Sequence, residues 1–260
     1  MRYAANLGFL WTDRPLPDAV RAAHAAGFDA VECHWPYGTP VADLRAALDE
    51  TGLRMLALNT WPGDRAAGDF GLCARPDRRE EARDAIAQAV AYGAEAGMDW
   101  VHVMAGRTDS GAAAEACFVD NLRRACDLAA ERGMGVLIEP LNLRDVPGYH
   151  LTGTDHAERL HAAVDHPALR ILFDCYHMQV MQGDLAATIE RLLPRIGHVQ
   201  IAAVPDRGEP DAGEVAYPWL MCRLGNMGYA SHVGAEYRPR GGETDVGLGW
   251  LAAFRAASAR

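Results

Sequence analysis

The chain contains no lysine, because all 25 of its lysine or arginine positions are arginine. Schiff-base chemistry, pyridoxal-phosphate attachment and the Walker P-loop each require a lysine amine, so the sequence excludes all three. It also lacks a run of roughly 18 apolar residues, the length needed to span a bilayer. A basic and apolar leader is missing as well, and together these absences predict a cytoplasmic protein.

Positive charge is scarce overall, since the formal net charge at pH 7 is −10. This balance argues against a basic surface that binds nucleic acid or an anionic membrane, but it does not exclude a local basic pocket. The six cysteines are scattered without a C-x-x-C pair, which indicates small core residues in a reduced compartment. The first βα turn has no G-x-G-x-x-G, so a dinucleotide site has no support.

Short apolar runs alternate with longer amphipathic runs from one end of the chain to the other. The predicted strands are residues 3–7, 28–32, 54–58, 100–104, 136–139, 171–174, 198–201 and 232–236. Eight β-then-α units are the number at which a parallel sheet closes, and about 250 residues is the usual length of such a barrel. We therefore predict a single (β/α)8 TIM barrel domain over residues 1–260. An open doubly wound sheet is the alternative.

Four consecutive predicted strands carry a polar residue at or next to their carboxyl end: Glu139, Asp174, Gln200 and Glu236. Neighbouring parallel strands lie about 4.8 Å apart, so these side chains are expected to converge at the barrel mouth. Oxygen ligands alone suit Mg²⁺ or Mn²⁺, whereas zinc more typically binds histidine or cysteine. Any single one of these residues also fits a helix cap or an arginine salt bridge.

Two histidines and three arginines are further candidates near these strand ends. His177 falls in a predicted loop after the sixth strand, where it either hydrogen-bonds a substrate oxygen or caps a carbonyl. His102 lies in the fourth strand and faces either the barrel or the helices. Arg144, Arg207 and Arg238 each follow a ligand strand, and each is a candidate for binding an anionic substrate.

Several aromatic residues fall in the loops or strand ends of the first three units, among them Phe9, Trp11, Trp35 and Trp61. They either form an apolar wall over the pocket or pack in the interior. The sequence leaves both interpretations open, because scattered aromatic residues are common in cores.

The segments around these candidates resemble the hydroxypyruvate isomerase family, which belongs to the xylose-isomerase-like (β/α)8 barrels. The resemblance is carried by residues 138–142, 173–179, 196–202 and 234–239, and it extends to residues 4–7, 62–64, 102–106 and 247–250. The chain departs from the family pattern at residues 58–61, which are bulky, and at Ala203, where an acidic residue is common. These departures bear on the size of the pocket.

The resemblance implies a metal-dependent isomerase of a small 2-oxo acid, which would convert hydroxypyruvate to tartronate semialdehyde in glyoxylate and carbohydrate metabolism. Glu139 and Glu236 would be the acid/base pair, and Glu139, Asp174, Gln200 and Glu236 would hold the metal, most simply Mg²⁺. The family also contains 2-oxo-tetronate isomerases, so the substrate stays open.

The chemistry of this reaction fits the residues. Moving a carbonyl by one carbon requires a proton to leave one carbon and return to its neighbour through an enediolate. Our hypothesis is that Glu139 and Glu236 handle the proton while a cation chelates the carbonyl and adjacent hydroxyl. His177 and Arg207 would orient the substrate, with His102 as a third binding candidate.

Other activities are compatible with parts of the pattern. A glycosidase would use Glu139 and Glu236 but would leave Asp174 and Gln200 unexplained. A sugar 3-epimerase of the same barrel type and a sugar-acid-binding protein without turnover both stay open. A nuclease is disfavoured by the acidic charge and by the lack of a histidine-rich multimetal cluster. Self-association is expected only by analogy with other barrels.

Overall fold

The computed structural model describes residues 1–109 and 111–258, which form a barrel of eight parallel strands and confirm the predicted fold. The strands are β1 Arg2–Asn6, β2 Ala30–Glu32, β3 Ala57–Asn59, β4 Trp100–His102, β5 Gly135–Ile138, β6 Leu169–Asp174, β7 Ile196–Ile201 and β8 His232–Ala235. Their order in the sheet is β2-β1-β8-β7-β6-β5-β4-β3. Residues 110, 259 and 260 of the predicted 1–260 domain lie outside the described residues.

The two ends of this sheet, β2 and β3, meet and close the barrel. The backbone N–H of Val31 donates to the carbonyl of Arg54 at 2.9 Å, and that of Leu56 donates back to Val31 at 2.7 Å. A third bond runs from the N–H of Cys33 to the carbonyl of Ala57 at 3.0 Å, and a fourth from the N–H of Asn59 to the carbonyl of His34 at 2.7 Å. We call this junction the closing seam. It is short because β2 and β3 have only three residues each.

Helices follow the strands and cover the outside of the barrel. The described α-helices are α1 Leu16–Ala25, α2 Val41–Thr51, α3 Arg79–Ala96, α4 Ala112–Ala130, α5 Thr154–Val164, α6 Cys175–Met181, α7 Leu185–Leu192, α8 Tyr217–Asn226 and α9 Gly249–Ser258. None of these helices is long and apolar enough to cross a membrane.

Alanine-rich faces bring the helices close to the strands. In α3 the buried residues include Ala82, Ile86, Ala89 and Val90, which recur at the spacing of one helical face. Gly93 lies on the same face, and a Cβ atom there would be 2.6 Å from Cε of Met134. Small residues on this face therefore let α3 pack tightly against the barrel wall.

The barrel interior changes from apolar to polar along the strands. Buried apolar side chains fill its amino-terminal end: Ala4, Ala30 and Leu56 in one cluster, and Ala57, Leu137 and Leu172 in another. Since every second residue of a strand faces the same side, Asn6 lies above Ala4 and Glu32 lies above Ala30. The lower half of the barrel is thus a packed core, and the polar groups collect at its carboxyl end.

One helix, α6, was not predicted from the sequence. The segment after β6 was predicted to be a loop, but residues 175–181 form α6 and include His177. Asp174 is its N-cap, and its side chain accepts a hydrogen bond from the N–H of Tyr176 at 2.8 Å. The loop prediction was wrong because seven residues are too few to show a helical period, and Cys, Tyr, His and Val are modest helix formers.

Candidate active site

The strand ends bring Glu139, Asp174, Gln200 and Glu236 together at the barrel mouth. Gln200 pairs in register with Asp174 on one side and with Gly234 on the other. The four residues are only 1–6% exposed. Glu139 and Glu236 line a small inner cavity of about 60 Å³, and these two with Gln200 also line a narrow space beneath it.

Three oxygen atoms in this group are buried without a hydrogen-bond partner among the described residues: Oε1 of Glu139, Oδ2 of Asp174 and Oε1 of Gln200. Leaving a buried acceptor unpaired costs about 1–3 kcal/mol, and more when it is charged. The amide of Gln200 is oriented by Glu32, because Nε2 donates to Oε1 of that carboxylate at 2.7 Å. These oxygens therefore fit a hard divalent cation.

Glu236 is the one predicted ligand whose two carboxylate oxygens are both engaged. Oε2 accepts a bond from Nη2 of Arg207 at 2.6 Å, while Oε1 accepts from Nδ2 of Asn6 at 3.0 Å and lies 2.9 Å from Nε2 of His34. Burial raises the pKa of Glu236, but Arg207 and His34 outweigh it, and the net pKa falls to about 2. Glu236 is therefore held as an anion.

The other two carboxyl groups behave differently. Burial raises the pKa of Glu139 well above its usual value, and the charges of Glu236 and Asp174 raise it further. Burial also raises the pKa of Asp174 to about 7, against the lowering effect of Arg207. Three carboxylates in one buried space cannot all stay ionised without a further positive charge.

Arg207 already supplies part of that charge. Its side chain is 11% exposed and lies over the rings of Phe9 and Tyr176, 5.0 Å and 4.9 Å from their centroids. Besides its contact with Glu236, Nη2 lies 3.6 Å from Oδ2 of Asp174. Its Nε is buried with no hydrogen-bond partner among the described residues, so one donor is left for another ligand.

His177 lies in α6 with its ring at the cavity. Its Nδ1 accepts a hydrogen bond from the backbone N–H of Asn142 at 3.0 Å. Because a backbone N–H can only donate, the neutral ring carries its proton on Nε2, which lies 3.6 Å from Oδ2 of Asp174 and 3.9 Å from Oε1 of Glu139. Burial lowers the pKa of His177 well below its usual value. The ring is thus a hydrogen-bond donor rather than a metal ligand.

His102 faces the barrel interior, which settles the question that the sequence left open. It lines the inner cavity, with Nδ1 3.2 Å from Oδ1 of Asn59 and 3.7 Å from Oε2 of Glu139. Its Nε2 has no hydrogen-bond partner among the described residues. Burial lowers the pKa of His102 to about 4, so the ring is neutral at physiological pH.

A supporting group lies beneath the site and was not among the residues predicted from the sequence. Oε1 of Glu32 accepts from Asn6 at 2.9 Å as well as from Gln200, and Oε2 contacts Nε2 of His198. Glu32 ends β2 in a carboxylate just as Asp174 ends β6, so the same strand-end signal was present. His34, in the loop after β2, carried no such signal.

A wider cavity of about 520 Å³ opens above the inner one and is lined by arginines. Arg65 lies over Phe70, 5.5 Å from its centroid, and Arg107 over the same ring at 5.8 Å. Arg238 lies 5.5 Å from the centroid of Phe9. None of the three has a carboxylate partner within 4 Å in the described part of the chain. We call Arg65, Arg107 and Arg238 the mouth arginines.

The remaining candidates from the sequence are placed elsewhere. Arg144 donates to the hydroxyl of Tyr176 and to a backbone carbonyl, and it does not line either cavity. Trp35 lines the mouth together with Phe9, whereas Trp11 is buried against Phe28. Trp61 is 47% exposed and lines a different cleft. Of the two interpretations that the sequence left open, a wall at the pocket fits Phe9 and Trp35, and interior packing fits Trp11.

Comparisons with known proteins agree with this architecture. Residues 20–254 match the family described as "Xylose isomerase-like TIM barrel", and the chain belongs to that family. Within it, the chain is 44% identical over 253 residues to the 2-oxo-tetronate isomerase of Cupriavidus necator, covering 96% of this chain and 97% of that relative. It is 37% identical over 258 residues to the hydroxypyruvate isomerase of Escherichia coli K12, covering 98% and 100%.

A solved structure shows the same fold at similar sequence identity. It is described as AP endonuclease, family 2, from Brucella melitensis, and matches with a TM-score of 0.93 at 40% identity, covering 97% of this chain and 98% of that one. Because curated relatives over nearly the full length are isomerases, the chain is an isomerase, and its resemblance to the hydroxypyruvate isomerase group is confirmed.

Proposed function

We propose that the chain catalyses the metal-dependent isomerisation of a small 2-oxo acid, with hydroxypyruvate converted to tartronate semialdehyde. The observation that carries this proposal is the set of three unpaired buried oxygens, on Glu139, Asp174 and Gln200, beside the anchored carboxylate of Glu236. The mouth arginines support an anionic substrate, because their charges are not neutralised by carboxylates of the described residues.

The reaction needs no oxidant or reductant. A proton leaves C3, the carbon that bears the hydroxyl, and a proton is delivered to C2, the former carbonyl carbon. The C3 hydroxyl loses its proton and becomes the aldehyde oxygen, while the C2 oxygen gains one. Glu139 and Glu236 both line the inner cavity, so we assign them the removal and return of the carbon-bound proton.

The residues that would hold the metal are Glu139, Asp174, Gln200 and Glu236, a set of three carboxylates and one amide. When bound, a divalent cation supplies polarisation of the carbonyl and compensation for the negative charge of the enediolate. Oxygen ligands favour Mg²⁺, with Mn²⁺ as the alternative.

Three further side chains would position the substrate. His177 presents Nε2–H to the cavity and is assigned to donate a hydrogen bond to a substrate oxygen. Arg207 lines the same cavity, has a buried Nε–H without a hydrogen-bond partner among the described residues, and is assigned to the substrate carboxylate. His102 borders the cavity with an unpaired Nε2 and is assigned to a substrate hydroxyl.

The test follows hydroxypyruvate by proton NMR in D₂O, using protein stripped of metal and then supplied with Mg²⁺ or Mn²⁺. We expect metal-dependent formation of the aldehyde. Glu139→Gln and Glu236→Gln should each lower kcat by about 10²–10⁴-fold. Glu190→Gln is the matched control, because Glu190 is exposed and pairs with Arg223 on the surface. Turnover that survives exhaustive chelation, or a fully active Glu236→Gln variant, contradicts the proposal.

The second candidate substrate is a 2-oxo-tetronate, one carbon longer. It is favoured by the cavity of about 520 Å³ above the inner site, which has more room than a three-carbon acid needs. The 44% identity to an enzyme named for that substrate supports it as well. A comparison of kcat/KM for the two acids, measured with the same metal ion, decides which of them is the better substrate.

Other outcomes of the same experiment would replace the substrate class. Epimerisation of a longer sugar at C3, without reaction of either acid, would favour a sugar 3-epimerase with the same site. Binding of the acids without any product would favour a sugar-acid-binding protein. An endonuclease activity is not proposed, because the net charge of −10 opposes binding of a polyanion.

Two expectations from the sequence stay predictions, namely a cytoplasmic location and self-association. Cell fractionation with an antibody tests the first. Light scattering of the purified protein tests the second, and a mass of 28.2 kDa in solution would contradict it.

A further inference from the structure

Outside the active site, one carboxylate and two imidazoles converge on a single point. Nε2 of His150 and Nε2 of His156 each lie 2.9 Å from the same oxygen, Oε2 of Glu115. Candidate ligand atoms of the three residues all lie within 4.8 Å of one another. Glu115 is in α4, His150 is in the loop between β5 and α5, and His156 is in the first turns of α5, so the convergence is tertiary.

The donor set is one that zinc uses. Two histidines and one glutamate leave a fourth tetrahedral position for water. With metal–ligand distances of about 2.0–2.1 Å, tetrahedral ligands lie about 3.3 Å from each other. The two observed separations of 2.9 Å differ from this value by a few tenths of an ångström, which small side-chain rotations can supply.

The surroundings orient the ligands. Nδ1 of His150 lies 3.1 Å from Oγ1 of Thr108, in the loop after β4. When Nδ1 carries the proton and donates to that oxygen, Nε2 presents its lone pair to the carboxylate of Glu115. The lone pairs of Nε2 and of the carboxylate oxygen repel each other, and a cation between them makes the arrangement favourable. A metal-binding histidine usually has such a polar partner on the ring nitrogen that does not bind the metal.

The cluster is reachable from solvent and separate from the active site. The side chain of His150 is 1% exposed, that of His156 is 14% exposed and that of Glu115 is 37% exposed, so one side is open for an ion and a water molecule. None of the three residues lines the inner cavity or the mouth.

We propose that Glu115, His150 and His156 bind a zinc-class divalent cation that joins the loops after β4 and β5 to α4 and α5. The two loops already contact each other, since the N–H of His150 donates to the carbonyl of Gly106 at 2.8 Å. Gly106 immediately precedes Arg107, one of the mouth arginines. The ion would therefore stabilise the wall that carries this arginine. Binding of the ion does not depend on the proposed reaction.

The experiment titrates metal-stripped protein with Co²⁺ in excess Mg²⁺, which occupies oxygen-ligand sites. We expect one equivalent to give the intense visible absorption of tetrahedral Co²⁺, displaced by Zn²⁺, and a rise in Tm with Zn²⁺. His156→Gln and Glu115→Gln should lose both signals, and Thr108→Ala should weaken binding by about 10–100-fold. Asp174→Asn, in the active site, should retain the spectrum, as should His24→Gln, which removes an exposed histidine.

Absence of the tetrahedral spectrum, or its persistence in a folded His156→Gln variant, overturns the proposal and identifies the cluster as a hydrogen-bonded group only. His156 is partly exposed, so this variant serves if Glu115→Gln does not fold. Because absorbance and Tm are the readouts, failure of the isomerase proposal would leave this result unchanged.

Discussion

At the scale of single residues, Arg207 does more than its position in the sequence indicated. Its backbone is left-handed, with φ of 56°, a conformation that costs a non-glycine residue about 1–2 kcal/mol. The turn is held by its N–H, which donates to the carbonyl of Ala203 at 2.9 Å. This geometry directs the guanidinium inward onto Glu236, so that one side chain both fixes the carboxylate and lowers its pKa.

Replacing Arg207 should therefore change the pH profile. Arg207→Met removes the largest effect that lowers the pKa of Glu236, so this pKa rises from about 2 and the carboxylate becomes protonated at higher pH. We expect kcat/KM to fall by about 10²-fold and its acid limb to move to higher pH. Steady-state kinetics from pH 4 to 9 on the wild type and on Arg144→Met, a loop arginine outside both cavities, provide the comparison. An unchanged acid limb would show that Arg207 does not act on Glu236.

At the scale of secondary-structure elements, strand β8 contributes through a residue without a side chain. A Cβ atom on Gly234 would lie 2.6 Å and 2.8 Å from the carboxylate oxygens of Glu32 and 2.9 Å from Cγ of Gln200. The bare backbone of β8 therefore makes room for the supporting network that orients the amide of Gln200.

Gly234→Ala should disturb both stability and metal binding. Overpacking a buried position costs about 1–3 kcal/mol, and displacing Gln200 removes one oxygen ligand. We expect Tm to fall by about 2–4 °C for each kcal/mol of unfolding free energy that is lost. We also expect the affinity for Mg²⁺ or Mn²⁺ to decrease. Gly241→Ala is the control, because its added Cβ meets no atom within 4 Å. Equal Tm and affinity in the two variants would contradict this account. Calorimetry measures both quantities.

Sequence periodicity was enough to predict eight strands and the four polar strand ends, since both depend on the local alternation of short apolar runs with longer amphipathic runs. It could not predict α6, whose helix depends on the capping carboxylate of Asp174 and on packing. Nor could it single out Arg65 or Arg107, because each contacts a ring in another loop: Arg65 lies over Trp35, and Arg107 lies over Phe70. The tautomer of His177 likewise depends on the N–H of Asn142, 35 residues away.

At the scale of the whole molecule, charge is unevenly distributed. The net charge of −10 repels a small anion, while the mouth arginines attract it over short distances. Because the local positive charges lie closest to the incoming substrate, they should dominate its final approach.

Ionic strength tests this arrangement. The Debye length falls from about 30 Å at 0.01 M to about 8 Å at 0.15 M, so salt should raise KM for hydroxypyruvate with little change in kcat. Arg65→Ala and Arg238→Ala should have a higher KM at low salt and a weaker salt dependence. A KM independent of salt in the wild type would indicate that the mouth arginines do not attract the substrate.

The closing seam has a consequence for how the barrel opens. Four backbone hydrogen bonds join the segments of β2 and β3, which have three residues each, whereas β6 and β7 have six residues each. Local opening is cheapest where the fewest contacts must break, so the amides of Val31 and Leu56 should exchange with deuterium sooner than those of β6 and β7. Glu32 and Asn59 end the two strands of this seam. Such an opening would separate one side of the site from the other while most of the barrel stays folded.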